Sequence, residues 1–100
     1  MVRQIKRSSR FKSDFKTVLA SISKSKRLLF QERLANVLEC LAQDQPLPRN
    51  FEDHPLSGNW LGYRDCHIFP DIVLIYKKTE EGELKLLLLA RIGSHSELRL

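Results

Sequence analysis

Two of the chain's three histidines, His54 and His67, stand in one stretch, DHPLSGNWLGYRDCHIFPD at 53–71. It also holds three aspartates, an arginine, a tryptophan and a tyrosine. The third histidine, His95, lies in the terminal GSHSELRL. Histidine, carboxylate and arginine together suit cleavage of an RNA phosphodiester without a metal. One group removes the 2′-OH proton, another protonates the leaving 5′-oxygen, and a cation stabilises charge on the phosphorane. Histidine serves because its unperturbed pKa lies near working pH. The candidates are His54, His67, Asp71 and His95, with Arg91 as the cation. The same three histidines and one aspartate could bind zinc, but no His-x3-His or similar chelating pair exists. Each residue also has a plain reading. His54, before Pro55, can bond a loop carbonyl, Asp71 is an ordinary turn residue after Pro70, and Trp60 and Tyr63 can be core. There is no serine–histidine motif, phosphate loop, dinucleotide fingerprint or paired-cysteine motif.

To act together these residues need a sheet to carry them. VRQIKRS has the alternation of a short first strand, and Ser8 or Ser9 can cap the helix that follows. Phe11, Phe15, Val18, Leu19 and Ile22 form one apolar stripe at helical period. SISKSK at 21–26 breaks it. A second helix over about 26–43 repeats the stripe with Phe30, Leu34, Val37, Leu38 and Leu41. The two helices read as an antiparallel hairpin with basic outer faces. QDQPLPRNFEDHP ends it, since two prolines exclude helix.

The period then changes to that of strands. NWLGYRDCHIF at 59–69 is a candidate strand, with Tyr63, Asp65, His67 and Phe69 on one face and Gly62 marking a bend or bulge. Pro70 and Asp71 form a turn. IVLIYKK reads as a central strand covered on both faces, TEEGE as a hairpin turn at Gly82, and LKLLLLARI as a third strand. Gly93 releases the chain from the sheet. The order is β-α-α-β-β-β and the class α+β, with the helix hairpin packed on one face of an antiparallel meander. The other face stays partly open. In such a meander the first and last strands run parallel, so their ends share an edge. His67, Asp71, Arg91 and His95 converge there, with His54 supplied by the loop.

One hundred residues make one domain, 1–100, able to bury roughly two-thirds of its unfolded surface. No apolar run approaches the roughly 20 residues that span a bilayer, so no membrane role is expected. The basic N-terminus lacks an apolar stretch behind it, which argues against a signal peptide and for the cytoplasm. Cys40 and Cys66 lack the spacing of a zinc site and read as buried thiols. Residues 1–33 carry ten Lys/Arg against Asp14 and Glu32, a sum of +8, while the remainder sums to −3. A basic half suggests a polyanion or an acidic protein partner.

The segment LPRNFEDHPLSGNWLGYRDCHIFPDIVLIYK and the terminal RIGSHSEL resemble the YafQ-like branch of the RelE/ParE toxin superfamily. That branch shows D-H-x-L-x-G-x-W-x-G-x-R-D-x-H-x-x-P-D, then a strand ending L-I-Y, then R-x-G-[ST]-H. Here these positions are Asp53, His54, Leu56, Gly58, Trp60, Gly62, Arg64, Asp65, His67, Pro70, Asp71, Leu74 to Tyr76, Arg91, Gly93, Ser94 and His95. The match covers roughly the C-terminal half and is specific because so many spacings are fixed. The resemblance implies a RelE-like fold and a toxin of a type II toxin–antitoxin system. It implies a ribosome-dependent endoribonuclease that cuts mRNA in the A site; the lack of a chelating pair leads to the expectation that it needs no cofactor or metal. It implies His54, His67, Asp71 and His95 as catalytic residues and Arg91 near the scissile phosphate. The implied partners are the ribosome with its mRNA and a small acidic antitoxin, DinJ- or RelB-like, through which alone the chain would meet DNA. One departure is Arg99, where relatives often carry an aromatic residue that helps hold a base; a guanidinium plane can also stack or bind phosphate. The alternative is a non-catalytic module of the same superfamily, such as a gyrase inhibitor, which generally lacks the histidine-and-aspartate set.

Overall fold

Ser8 sets the start of the first helix. Its Oγ accepts from the Phe11 amide at 3.0 Å and donates to the Ala90 carbonyl at 2.7 Å, so one side chain caps the helix and ties it to the last strand. In the computed structural model, which describes residues 2–100, eight elements follow one another. They are β1 (Gln4–Arg7), α1 (Ser9–Ser21), α2 (Lys24–Ala42), β2 (His54–Pro55), β3 (Arg64–Phe69), β4 (Ile72–Glu81), β5 (Leu84–Gly93) and α3 (His95–Leu98). The helix hairpin and the β3–β4–β5 meander are those read from the sequence. No helix among the described residues is long and apolar enough to cross a membrane.

The sheet order is β1-β5-β4-β3-β2. β1 pairs parallel with β5, and the other pairings are antiparallel. The apolar stripes of α1 and α2 cover one face. Phe11, Val18, Phe30, Leu34, Val37 and Leu41 are buried against Ile68, Leu74, Leu87 and Leu89. β4 alternates as a two-faced strand must. Ile72, Leu74 and Tyr76 join the helix-side core, while Val73 and Ile75 join a second, smaller cluster.

That second cluster corrects the expectation of a partly open face. Val73, Ile75, Ala90 and Leu98 are buried there beneath Leu56, Trp60 and Tyr63, so the loop before β3 and the helix α3 roof part of it. Two further expectations change. The strand expected from Asn59 begins only at Arg64, because Gly58 (φ 62°) and Gly62 (φ 94°) turn the chain into a 3-10 turn and a bend. Phe69 does not share a face with His67. A bulge sets His67 opposite Val73 but Phe69 opposite Ile72, which swings Phe69 to the helix side. There it lies 6.0 Å from the Phe30 ring and beneath the Arg33 guanidinium.

Candidate active site

The loop that delivers His54 is fastened by its neighbour. Asp53 accepts from Tyr76 Oη at 2.6 Å and from Arg64 Nε at 3.2 Å. Burial, and then the bond to Asp53, push the Tyr76 phenol above its usual range, so it stays a donor. With Asp53 pinned, His54 pairs opposite Asp65 as half of the two-residue strand β2, a pairing too short to leave a periodicity. The pairings put His54, Asp65, Ile75 and Arg91 in one row across the sheet, and His67, Val73 and Gly93 in another. His95 follows two residues after Gly93. The shared edge expected from the meander is therefore real for His67 and His95, whose rings stand 5.1 Å apart, edge to face.

Polar contacts reach two of the rings, a hydrogen bond at His54 and an ion-pair approach at His67. His54 Nδ1 lies 2.7 Å from the Glu52 carbonyl oxygen and 3.1 Å from Asp65 Oδ1. His67 Nδ1 lies 3.0 Å from Glu52 Oε2. A carbonyl accepts and cannot donate, so His54 carries its proton on Nδ1 and leaves Nε2 free. His54 is half-exposed and His67 nearly buried.

Asp65 is 2% exposed, and its Oδ1 has no hydrogen-bond partner. The His54 N–H is spent on the Glu52 carbonyl, so Oδ1 meets that ring only as a nearby charge. Burial pushes the Asp65 carboxyl above the ordinary range, opposed in turn by His54, His67 and His95. All three histidines thus act electrostatically on one buried carboxylate, with His54 the nearest at 3.1 Å. Among the described residues no three histidine, cysteine or carboxylate side chains converge as metal ligands do. A cleft of about 330 Å³ opens beside His67, lined by Arg33, Asn50, Phe51, Glu52 and Phe69.

α3 holds His95 through a capping box. Ser94 Oγ accepts from the Glu97 amide at 3.2 Å, and Glu97 Oε1 accepts from the Ser94 amide at 2.9 Å. These bonds hold the Glu97 carboxyl below its usual range. Leu98 anchors the turn in the second cluster.

Over residues 3–100 the sequence matches the family described as bacterial toxin of type II toxin-antitoxin system, YafQ. The chain belongs to that family. The mRNA interferase toxin YafQ of Escherichia coli strain B / BL21-DE3 is 38% identical over 97 residues, 96% of this chain and 95% of that one. YafQ in the E. coli DinJ–YafQ complex superposes with a TM-score of 0.76 at 36% identity, covering 96% of this chain and 97% of its own. A metal-bound toxin from Helicobacter pylori gives 0.77 at 34% identity, over 98% and 99%. The likeness first seen in the C-terminal motifs therefore extends over both helices.

Three of the residues read from the sequence, His54, His67 and His95, come together in this YafQ-family toxin. The others stand apart. Asp71 is exposed in the β3–β4 turn and makes no hydrogen bond or ion pair with a histidine. Arg91 is held by α1: its Nε and Nη2 lie 2.7 and 3.0 Å from the Asp14 carboxylate, which also accepts from the Ile92 amide. Arg99 is exposed just past α3, in the left-handed conformation. Two residues near the histidines escaped sequence reasoning. The alternation that put Asp65 on the face of His67 was a usable signal for it. Glu52 left none, because its contacts depend on a left-handed backbone at φ 51°.

Proposed function

We propose that this toxin is an mRNA interferase, an endoribonuclease acting as a single domain over 1–100 on mRNA in the ribosomal A site, in the cytoplasm. The observation that carries the reading is that His54 stands 3.1 Å from buried Asp65 with its Nε2 free, while the His67 and His95 rings meet 5.1 Å apart on the same side of the sheet. His54 Nε2 takes the 2′-OH proton. The 2′-oxygen attacks phosphorus, and the P–O5′ bond breaks as His67 or His95 gives a proton to the leaving 5′-oxygen. The products are a 2′,3′-cyclic phosphate and a 5′-hydroxyl. Asp65 balances the charge that the histidines gain. Asp71 completes the catalytic set from the rim of the turn. Arg91 keeps Nη1 for the phosphate while Asp14 occupies its other two nitrogens. Arg99 takes a base or phosphate at the tail.

The reaction needs protons and cations but no metal. The metal-bound relative makes this the point to test. Purified protein, ribosomes and mRNA should give codon-positioned cuts that survive transition-metal chelation, at a magnesium level that keeps ribosomes intact. Loss of cutting on chelation, restored by one added metal, would replace this mechanism. Growth arrest that persists in a chain lacking all three histidines would point to a non-catalytic toxin.

The partner is a small acidic antitoxin, and DNA is reached only through it. The E. coli DinJ–YafQ complexes support an antitoxin partner. So does a groove of about 540 Å³ between β1 and the helices, with Phe11, Phe15 and Leu38 as floor and Arg7, Lys12 and Lys16 as rim. An acidic amphipathic segment fits that combination.

A further inference from the structure

Glu52 reaches two of the three histidines. Its carbonyl oxygen is 2.7 Å from His54 Nδ1, and its Oε2 is 3.0 Å from His67 Nδ1. The first is a hydrogen bond to an oxygen that cannot donate, so it requires the imidazole proton on Nδ1; the second is an ion-pair approach to a carboxylate, which favours a proton on Nδ1 over a lone pair there. A neutral histidine side chain in water favours the opposite tautomer, with the proton on Nε2. We propose that Glu52 is a positioning residue that commits both rings to the Nδ1–H tautomer, so that His54 and His67 each turn Nε2 toward the RNA.

The backbone explains how one residue reaches both. Glu52 ends the 3-10 turn Arg49–Phe51 at φ 51° and ψ 43°, left-handed for a residue that is not glycine. Such a conformation is unfavourable in an L-residue and concentrates at functional sites. Here it aims the carbonyl at the residue two positions on, while the side chain crosses to β3. Glu52 is 65% exposed, so packing does not account for keeping it in a strained conformation. Its side chain also walls the cleft beside His67. Orientation of a catalytic histidine through its second nitrogen is how other acid–base sites fix the reactive one.

The inference rests on the reaction proposed above, but its decisive test does not need cleavage. Two-bond ¹H–¹⁵N spectra of the full chain, recorded where the imidazoles are neutral, report the tautomer of each ring. In the wild type His54 and His67 should both be Nδ1–H. In Glu52→Ala, His67 should move toward Nε2–H while His54, still bonded to the main-chain carbonyl, stays. Glu52→Gln keeps an accepting oxygen and should keep His67 as Nδ1–H. Cleavage should fall roughly ten- to a hundredfold in Glu52→Ala, in kcat rather than KM, and largely return in Glu52→Gln. Glu52→Gly relieves the left-handed strain, so it should fold at least as well and show the same His67 change. Nε2–H on His67 in the wild type, or an unchanged His67 in both the Ala and Gly variants, overturns the proposal. A wild type that cuts no RNA while showing these tautomers would sink the proposed reaction and leave the ring assignment standing.

Discussion

The two faces of the sheet are built to opposite rules. The helix-side face buries Phe30, Leu87 and Leu89 completely, and the buried Arg3 beside the end of α2 is paired with Asp44. The histidine-side face has four buried apolar residues, roofed by half-buried Leu56, Trp60 and Tyr63, and sets a buried carboxylate beside them. The difference teaches where this small protein keeps its stability. One face supplies the apolar burial, so the other can carry unsatisfied polar atoms that a core would not tolerate.

Substitutions on the two faces should therefore fail in different assays. The largest effect belongs to the histidines. His54→Ala, His67→Ala and His95→Ala should each lower cleavage roughly 10²- to 10⁴-fold while leaving thermal unfolding almost unchanged. Loss of folding alongside loss of cutting would instead make them structural. Next comes the opposite face. Phe30→Ala should cost about 3–5 kcal/mol in chemical denaturation, and a chain that still folds should keep its cutting rate per folded molecule.

The contrast sharpens at two aspartates whose shifts have opposite sign. The Asp65 carboxyl is raised, so its protonated form folds better. The stability this gives is present below the ordinary carboxylate range and is lost as pH rises through the folded value. Asp65→Asn should thus be more stable than wild type at neutral pH, on the order of 1 kcal/mol, with the gap closing in acid. Its cutting rate should fall, because the charge facing the histidines is gone. A variant less stable than wild type at pH 7 would mean that Asp65 is paid back by the histidines after all.

The smallest effect lies far from the site, at the sheet's other end. Asp44 accepts from Arg3 and Lys78, and those bonds hold its carboxyl at about 2. Its contribution is present above the unfolded value near 3.8 and is lost as pH falls toward 2. Being 38% exposed it is well screened, so the effect is small. Unfolding temperatures of wild type and Asp44→Asn should converge between pH 4 and pH 2. Parallel curves across that window would show the ion pairs to be idle.

Much of this was legible from residue spacing. Phe11, Val18, Phe30, Leu34, Val37 and Leu41 are buried where a 3.6-residue period puts them, and IVLIYKK is two-faced because its apolar run is unbroken. The site was legible in composition and only partly in geometry. A meander brings His67 and His95 to one edge by topology alone. Where Phe69 points is decided by a bulge, and where β3 starts by two glycines at positive φ; neither changes the hydrophobic pattern. The roof that Trp60 and Tyr63 lay over Val73 and Ile75 comes from a stretch that sequence alternation could not distinguish from a strand.

The parallel pairing of β1 with β5 has a consequence in time. Gln4 lies opposite Leu86 and Arg7 opposite Leu89, so a strand made early on the ribosome finds its neighbour only when the last strand has emerged. Contacts this distant along the chain are slow to form. His95 comes later still. The edge that groups His67 with His95 is therefore completed only after every strand of the sheet has been made.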